Sequence, residues 1–521
     1  MSSKLMETSQ ALELIQDGDT ITFTSAGMVG YAEHISKALE NKFLEEQRPG
    51  NLTLVSGCGQ AVWDERGDSR FGHPGFLKRV ICTHPDAAPP VRKMLENNEI
   101  EGYILTQGVL NQLLLSIAAQ QPGLLTKIGT GTYIDPRLEG GKVNEKTKED
   151  LVEVMNVKGE EWLFYNTFPI NVAIIRGSTA DENGNLTIER EGLKLQLLAV
   201  ASAANASGGK VIVQAERVAK SGTLNPKDVV VPGILVDAVV VPDNPMEDHK
   251  QTAAEYYNPA FSGELKMPVE SGAENGDDKL TLKNVVTRRA AQEMSPGMVV
   301  NFGIGIPAAI GEVAAQEGIY NSLTLTVELG VIGGIPADIP NFGVAFNPEA
   351  FVSHPEMFDF YHSEGLDITF LGAAQIDKNG NINVSKFGPR ISGTGGFIDI
   401  TQSTPRIVFC SYFKAKGLEG IAKDGTVTIE NEGSTAKFVE DVDQVSFSGP
   451  EAIKQNKDVT VVTERAVFKL SQDGLMLTEI APGLDLEKDI LQQMEFRPII
   501  SDNLKTMDER IFQPGRMGCF D

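Results

Sequence analysis

The sequence predicts an α/β protein made of two duplicated, open α/β domains. Three observations predict it. Strand-like apolar runs alternate with helical stretches, a strand, glycine turn and helix follow one another once in each half, and an Asn-Gly turn between apolar runs recurs at matching places. Alternation of this kind implies mostly parallel sheets with helices packed on them.

Near the amino terminus, Asp17-Gly18-Asp19-Thr20-Ile21-Thr22-Phe23 is the first strand, Ser25-Ala26-Gly27-Met28-Val29-Gly30 the turn, and residues 31–39 the helix. Pro296-Gly297-Met298-Val299-Val300-Asn301-Phe302 repeats the strand, Gly303-Ile304-Gly305-Ile306-Pro307 the turn, and residues 308–315 the helix. The next strand in the first copy is Leu52-Thr53-Leu54-Val55-Ser56, running into Gly57-Cys58-Gly59. Its counterpart is Leu323-Thr324-Leu325-Thr326-Val327, running into Glu328-Leu329-Gly330. Both are β-branched and apolar, as buried strands are. Only the second copy carries a carboxylate.

A third pairing sets residues 181–188 against 377–384, and the Asn-Gly steps Asn183-Gly184 and Asn379-Gly380 predict a hairpin in each. Between the halves the chain turns polar. We place an amino-terminal domain at 1–270, a linker at 271–280 and a carboxy-terminal domain at 281–521.

A chain of 521 residues exceeds one ordinary core. The 46 Lys and Arg against 71 Asp and Glu leave a net charge of -25, which argues against a nucleic-acid partner. An anionic small molecule remains compatible with a local cationic or backbone-amide pocket. Cys58, Cys82, Cys410 and Cys519 are scattered, without C-x-x-C spacing, as in a reduced cytoplasmic protein. The amino terminus offers no apolar signal core and no segment is long enough to span a bilayer. The six histidines show no paired-ligand spacing, so no metal site is expected.

Four features have chemical potential, each with a structural alternative. Glu328, at the end of an apolar strand and followed by Gly330, Gly333 and Gly334, is displayed as a nucleophile would be, or is a solvated glutamate beside a turn. Gly303-x-Gly305-x-Pro307 joins strand to helix, so its amides can face an anion or merely permit tight packing. It is not the dinucleotide pattern. Gly393-Thr394-Gly395-Gly396 precedes an apolar run taken as a strand, a sign of close backbone approach to a ligand or to a loop. Gln107 ends an apolar run before a helix and is either an amide donor to an oxyanion or a cap. The apolar segments Phe346-Asn347-Pro348 and Met357-Phe358-Asp359-Phe360-Tyr361 can border a short acyl chain or belong to the core.

Taken together, residues 301–307, 326–337, 365–372, 381–390, 393–399, 463–468 and 477–490 resemble the family I coenzyme A transferases. The likeness runs over nearly the full chain and is nearest to the bacterial acetate and propionate CoA-transferases. It implies that Glu328 is the nucleophile, forming a glutamyl-CoA thioester, and that Gln107 with the backbone amides of Gly395 and Gly396 makes the oxyanion hole. It also implies that Gly303, Ile304, Gly305, Ile306 and Pro307 border the CoA site, with Lys416 a candidate for the cofactor's phosphates. Acyl-CoA and a short-chain carboxylic acid are then the substrates, with no prosthetic group, and the oligomer is a homodimer or homotetramer. With Gln107 supplied by the first domain, the active site is expected between the two domains. In the 3-oxoacid branch the nucleophile is followed by Asn-Gly, whereas here Leu329-Gly330 follows, which points away from a dedicated acetoacetate enzyme.

Three rival functions remain at this level. An acyl-CoA hydrolase would use the same glutamate with water as acceptor. A CoA or metabolite sensor would bind without a covalent adduct. A sugar-phosphate isomerase, found on a related fold, would need convergent basic residues that the sequence does not place near Glu328.

Overall fold

The computed structural model describes residues 3–268 and 280–520, so the predicted linker at 271–280 lies, save Leu280, outside the described residues. Two compact units form. Unit 1 gathers Met1–Met267, Val327–Asp359 and Pro389–Asp399, and unit 2 gathers Pro268–Thr326, Phe360–Gly388 and Ile400–Asp521. Two segments of the carboxy-terminal half, one carrying Glu328 and the other Gly395 and Gly396, therefore fold with the amino-terminal half.

Unit 1 is built on a parallel sheet in the order Ala238–Val240, Lys210–Ala219, Val172–Asp181, Thr20–Phe23, Leu52–Ser56, Leu77–Cys82, Glu101–Ile104. Val172–Asp181 is buried at every position. Continuous burial marks a strand covered on both faces. Helices Glu33–Glu46, Pro89–Glu96, Gln107–Ala118 and Leu197–Ala206 follow the strands. A separate antiparallel sheet joins Gly123–Thr126, Glu160–Asn166 and Val152–Val157.

In unit 2 the parallel strands run in the order Thr324–Val327, Val299–Phe302, Ile368–Gly372, Arg406–Cys410, Asp458–Val462. The antiparallel strands Ala466–Ser471 and Gly474–Ile480 continue the sheet. Val285, Val286, Val300, Phe370, Val408 and Val462 lie in its core.

The two units repeat each other in register. In unit 1, Thr20, Ile21 and Thr22 face Thr53, Leu54 and Val55, and in unit 2, Val299, Val300 and Asn301 face Thr324, Leu325 and Thr326. On their other side, Ile21, Thr22 and Phe23 face Val172, Ala173 and Ile174, as Val300, Asn301 and Phe302 face Ile368, Thr369 and Phe370. Counting onward from Val55 and Thr326, Gly57 occupies the place of Glu328.

The Asn-Gly hairpins repeat bond for bond. Asp181 Oδ1 accepts from the amides of Asn183 and Asn185, both at 3.0 Å, and Oδ2 from Asn185 Nδ2 at 2.9 Å. Asp377 Oδ1 accepts from the amides of Asn379 at 2.9 Å and Asn381 at 3.0 Å, and Oδ2 from Asn381 Nδ2 at 2.9 Å. The second asparagine then accepts from a distant glycine amide in each case, Gly233 N at 2.8 Å and Gly449 N at 3.0 Å.

One predicted element changes type. The apolar run after Gly396 is the helix Phe397–Ser403, where the sequence reading takes a strand. Short apolar runs carry too few turns for periodicity to separate the two, and here Phe397, Ile398 and Ile400 are all buried at helical spacing. Met357, Phe358 and Tyr361 of helix His354–His362 are fully buried, so those members of the second apolar segment belong to the core.

Candidate active site

Glu328 directly follows strand Thr324–Val327 and is half-buried. Gly330 holds φ at 105°, and a Cβ there would lie 2.3 Å from Val352 O. That position admits only glycine, because the chain after Glu328 turns back against its own backbone. The glycine thus serves the turn that presents the carboxylate.

Gln107 is the first residue of helix Gln107–Ala118, reached from strand Glu101–Ile104. Its backbone amide donates to Gly395 O at 3.0 Å. Its side-chain Nε2 lies 2.9 Å from His354 Nε2, and burial lowers the His354 pKa to about 3, so a neutral ring accepts the amide hydrogen. The next residue, Gly108, donates its amide to Asp399 Oδ2 at 2.9 Å, and Thr106 Oγ1 donates to the same oxygen. Asp399 therefore fixes the start of the helix that carries Gln107.

Within unit 1, hydrogen bonds tie Gln107 to Gly57, next to which Cys58 feels the charge of Glu328. Asn111, one turn along the helix, donates from Nδ2 to Gln107 O at 2.8 Å and to Gly57 O at 3.0 Å. The adjacent Cys58 thiol is pushed up to about 12, first by burial and second by the negative charge of Glu328. Gly57, the register counterpart of Glu328, leaves little room for a side chain: a Cβ would meet Gln196 Nε2 at 3.0 Å and Asn111 Oδ1 at 3.2 Å, so both amides would have to give way. Where one strand end carries a carboxylate, its register counterpart carries a glycine flanked by two amides.

Gly395 and Gly396 also lie in this neighbourhood, but their amides differ. Gly395 N–H donates to Thr83 O at 3.1 Å. Among the described residues, Gly396 N–H makes no hydrogen bond. A site for an oxyanion needs donors not already committed. The Gly396 amide meets that condition and that of Gly395, as it stands, does not.

The remaining predicted residues lie in unit 2. Gly303 donates its amide to Phe370 O at 2.8 Å, and Gly305 holds φ at 87° with open space around it. Ile304 is 56 % exposed, and Pro307 opens the 3-10 turn Pro307–Ala309 before helix Ile310–Gln316. Lys416 is exposed, in a left-handed turn at φ 57°, with its carbonyl accepting from Ser434 N at 3.0 Å. The structure thus brings Glu328, Gln107, Gly395 and Gly396 into one unit and sets the five-residue glycine turn and Lys416 in the other.

Sequence reasoning missed His354, Asn111, Asp399 and Cys58. Gln107 and His354 stand 247 positions apart, and no local spacing links them. Among the described residues no group of three or more His, Cys, Asp or Glu side chains is placed to hold a metal ion. No helix there is long and apolar enough to cross a membrane.

Comparison with known proteins supplies the family. Residues 5–242 and 283–488 match the model of the coenzyme A transferase family. The chain is 45 % identical over 515 residues to caffeate CoA-transferase of Acetobacterium woodii, covering 98 % of this chain and 97 % of that one. It is 40 % identical over 521 residues to acetate CoA-transferase YdiF of Escherichia coli K12, covering 99 % and 96 %. The crystal structure of acyl-CoA transferase YdiF apoenzyme from E. coli O157:H7 superposes with a TM-score of 0.93 at 39 % identity, over 99 % of this chain and 97 % of that one. Its thioester complex with CoA superposes with a TM-score of 0.92. With its duplicated parallel sheets, its family match and relatives of this similarity along nearly its whole length, the chain belongs to the coenzyme A transferase family.

Proposed function

We propose that the protein moves coenzyme A between a short-chain acyl-CoA and a free carboxylic acid through a covalent intermediate on Glu328. The observation that carries this reading is that Glu328, at a glycine-lined strand end, folds in the same unit as Gln107, whose helix is hydrogen-bonded through Asn111 to Gly57, next to the Cys58 thiol that feels the charge of Glu328. The thioester complex of the related YdiF supports it.

The Glu328 carboxylate attacks the acyl-CoA carbonyl, the carbon–sulfur bond breaks, and a mixed anhydride and CoA thiolate result. The thiolate then attacks the glutamyl carbonyl, releasing the first acid as carboxylate and leaving glutamyl-CoA. A second carboxylate reverses both steps. The thioester's energy is retained throughout, and the kinetics are ping-pong. Each attack passes through a tetrahedral oxyanion, for which Gln107 Nε2–H and the Gly396 amide are the donors, with that of Gly395 available only if its bond to Thr83 opens.

Gly303, Ile304, Gly305, Ile306 and Pro307 border the CoA chain in this reading, and Lys416 meets its phosphates. The halves 1–270 and 281–521 are the duplicated domains, and a cytoplasmic homodimer or homotetramer is the working form. Acetate, propionate and butyrate are the first acids to test. The 45 % identity with caffeate CoA-transferase favours aryl acrylic acids as a second class.

The test is peptide mass spectrometry after incubation with acetyl-CoA and no acceptor. The peptide containing Glu328 is expected to carry CoA through a hydroxylamine-sensitive bond, and Glu328→Gln is expected to abolish both adduct and transfer. Full transfer by that variant overturns the reading. Steady hydrolysis of acetyl-CoA without need of an acceptor makes the protein a hydrolase instead.

A further inference from the structure

Trp63 leaves 48 % of its surface exposed while its backbone is held at φ 61°. A bulky residue persists in the left-handed region only where its surroundings over-determine it, and such positions gather at ligand clamps. Here they do. Trp63 N–H donates to Ala87 O at 2.9 Å, and its indole Nε1–H donates to Asp86 Oδ2 at 3.2 Å. Asp86 is itself held by Arg92 and by Arg390, with Arg390 Nη2 2.9 Å from Oδ2 and Nε 3.1 Å from Oδ1.

This bracket spans both loops of the candidate site. Trp63 lies in the loop that begins at Gly57 and Cys58 and runs to the 3-10 turn Gly67–Phe71, and Arg390 lies at the start of the segment that reaches Gly395 and Gly396. Asp86 N also donates to Ser392 O at 3.4 Å in that segment. About half of the Trp63 surface is thus kept open to solvent while two hydrogen bonds and a strained backbone hold the residue in place. An indole with its polar end already satisfied offers a preorganised flat surface and no further polar demand.

We propose that the Trp63 indole is a stacking platform for a flat aromatic group of the substrate, beside the site of Glu328. That group is the aryl ring of an aromatic acid or the adenine of coenzyme A. The inference rests on the reading of Glu328 and its neighbours as the active site, and it names a residue that sets which substrates bind.

Trp63 and Trp162 are the two tryptophans of the chain, so Trp162→Phe leaves Trp63 as the only indole emitter. That variant, with transfer activity intact, is titrated with cinnamate against crotonate, and with CoA against pantetheine, which lacks adenine. Quenching by cinnamate but not crotonate assigns the platform to the aryl acid. Quenching by CoA but not pantetheine assigns it to adenine. In full-length Trp63→Leu the half-saturation for the quenching ligand is expected to rise at least about fivefold, the lower end of the ~5–150-fold that stacking one base on an aromatic side chain supplies. The proposal is overturned if neither aromatic ligand quenches beyond its ring-free partner, or if Trp63→Leu shifts no half-saturation by more than about twofold. The Glu328 adduct is scored separately on the wild type, so a failed platform and a failed covalent mechanism give different results.

Discussion

Lowering the pH should destabilise this protein through one buried ring, His354. Its side chain is fully buried, and desolvation lowers its pKa from 6.5 to about 3. The unfolded chain takes up a proton on this ring near pH 6.5, while the native chain does not until about pH 3. The contribution of the neutral ring is therefore complete above pH 6.5 and is lost as pH falls toward 3. Each pH unit in that window is worth about 1.4 kcal/mol, so by pH ~5 the loss reaches about 2 kcal/mol. In His354→Asn no group titrates there. Urea midpoints of wild type and variant at about pH 7.5 and 5 should show the wild type's advantage shrinking by about 2 kcal/mol. Parallel loss of stability in the two proteins refutes the reasoning, as does a ring-carbon NMR titration of His354 with a midpoint above about pH 5.

Asp68 should behave with the opposite sign. Burial raises its pKa to about 7 against hydrogen bonds from Ser56 Oγ at 2.5 Å and Tyr31 OH at 3.3 Å. The native state keeps this proton longer than the unfolded chain, so stability falls as pH rises from about 4 to 7. Asp68→Asn should gain on the wild type by a few kcal/mol between about pH 5 and 8, read as a thermal midpoint, and a pH-independent difference would contradict this. Gln107→Ala should lower turnover about 10²–10³-fold with acetyl-CoA half-saturation nearly unchanged, since one oxyanion donor is lost; normal turnover leaves Gln107 the structural role of holding His354. Gly57→Ala places a methyl 3.0 Å from Gln196 Nε2 and 3.2 Å from Asn111 Oδ1. It should cost about 1–3 kcal/mol of stability and lower turnover by displacing Asn111 from Gln107 O, and unchanged kinetics would separate Gly57 from the site. Asp377→Ala and Asp181→Ala each remove three hydrogen bonds and should each destabilise by about 2 kcal/mol in a denaturant series. A loss at one position only would mean that the two turns have diverged in energetic role.

What the sequence determined by itself was local and periodic. The strands before Gly303 and Glu328, the helix opening at Gln107 and both Asn-Gly hairpins follow from β-branched runs, caps and turn residues, whose preferences act over a few positions. The duplication was legible for the same reason, because each copy repeats those local signals in the same order. Glu328 stood out as a lone carboxylate among glycines.

Tertiary structure alone decided which residues share a neighbourhood. Nothing in the chain between Gln107 and His354 announces that their side chains meet, and nothing in the glycine cluster tells that the Gly395 amide is taken by Thr83 while that of Gly396 is not. The run after Gly396 became helix because Asp399, Ile398 and Ile400 must satisfy partners from distant segments, a constraint that no short window contains. The segments holding Glu328 and Gly396 left their own half to pack with the other. Burial and hydrogen-bond satisfaction are decided over the whole fold, whereas turn chemistry and hydrophobic periodicity are decided within a few residues.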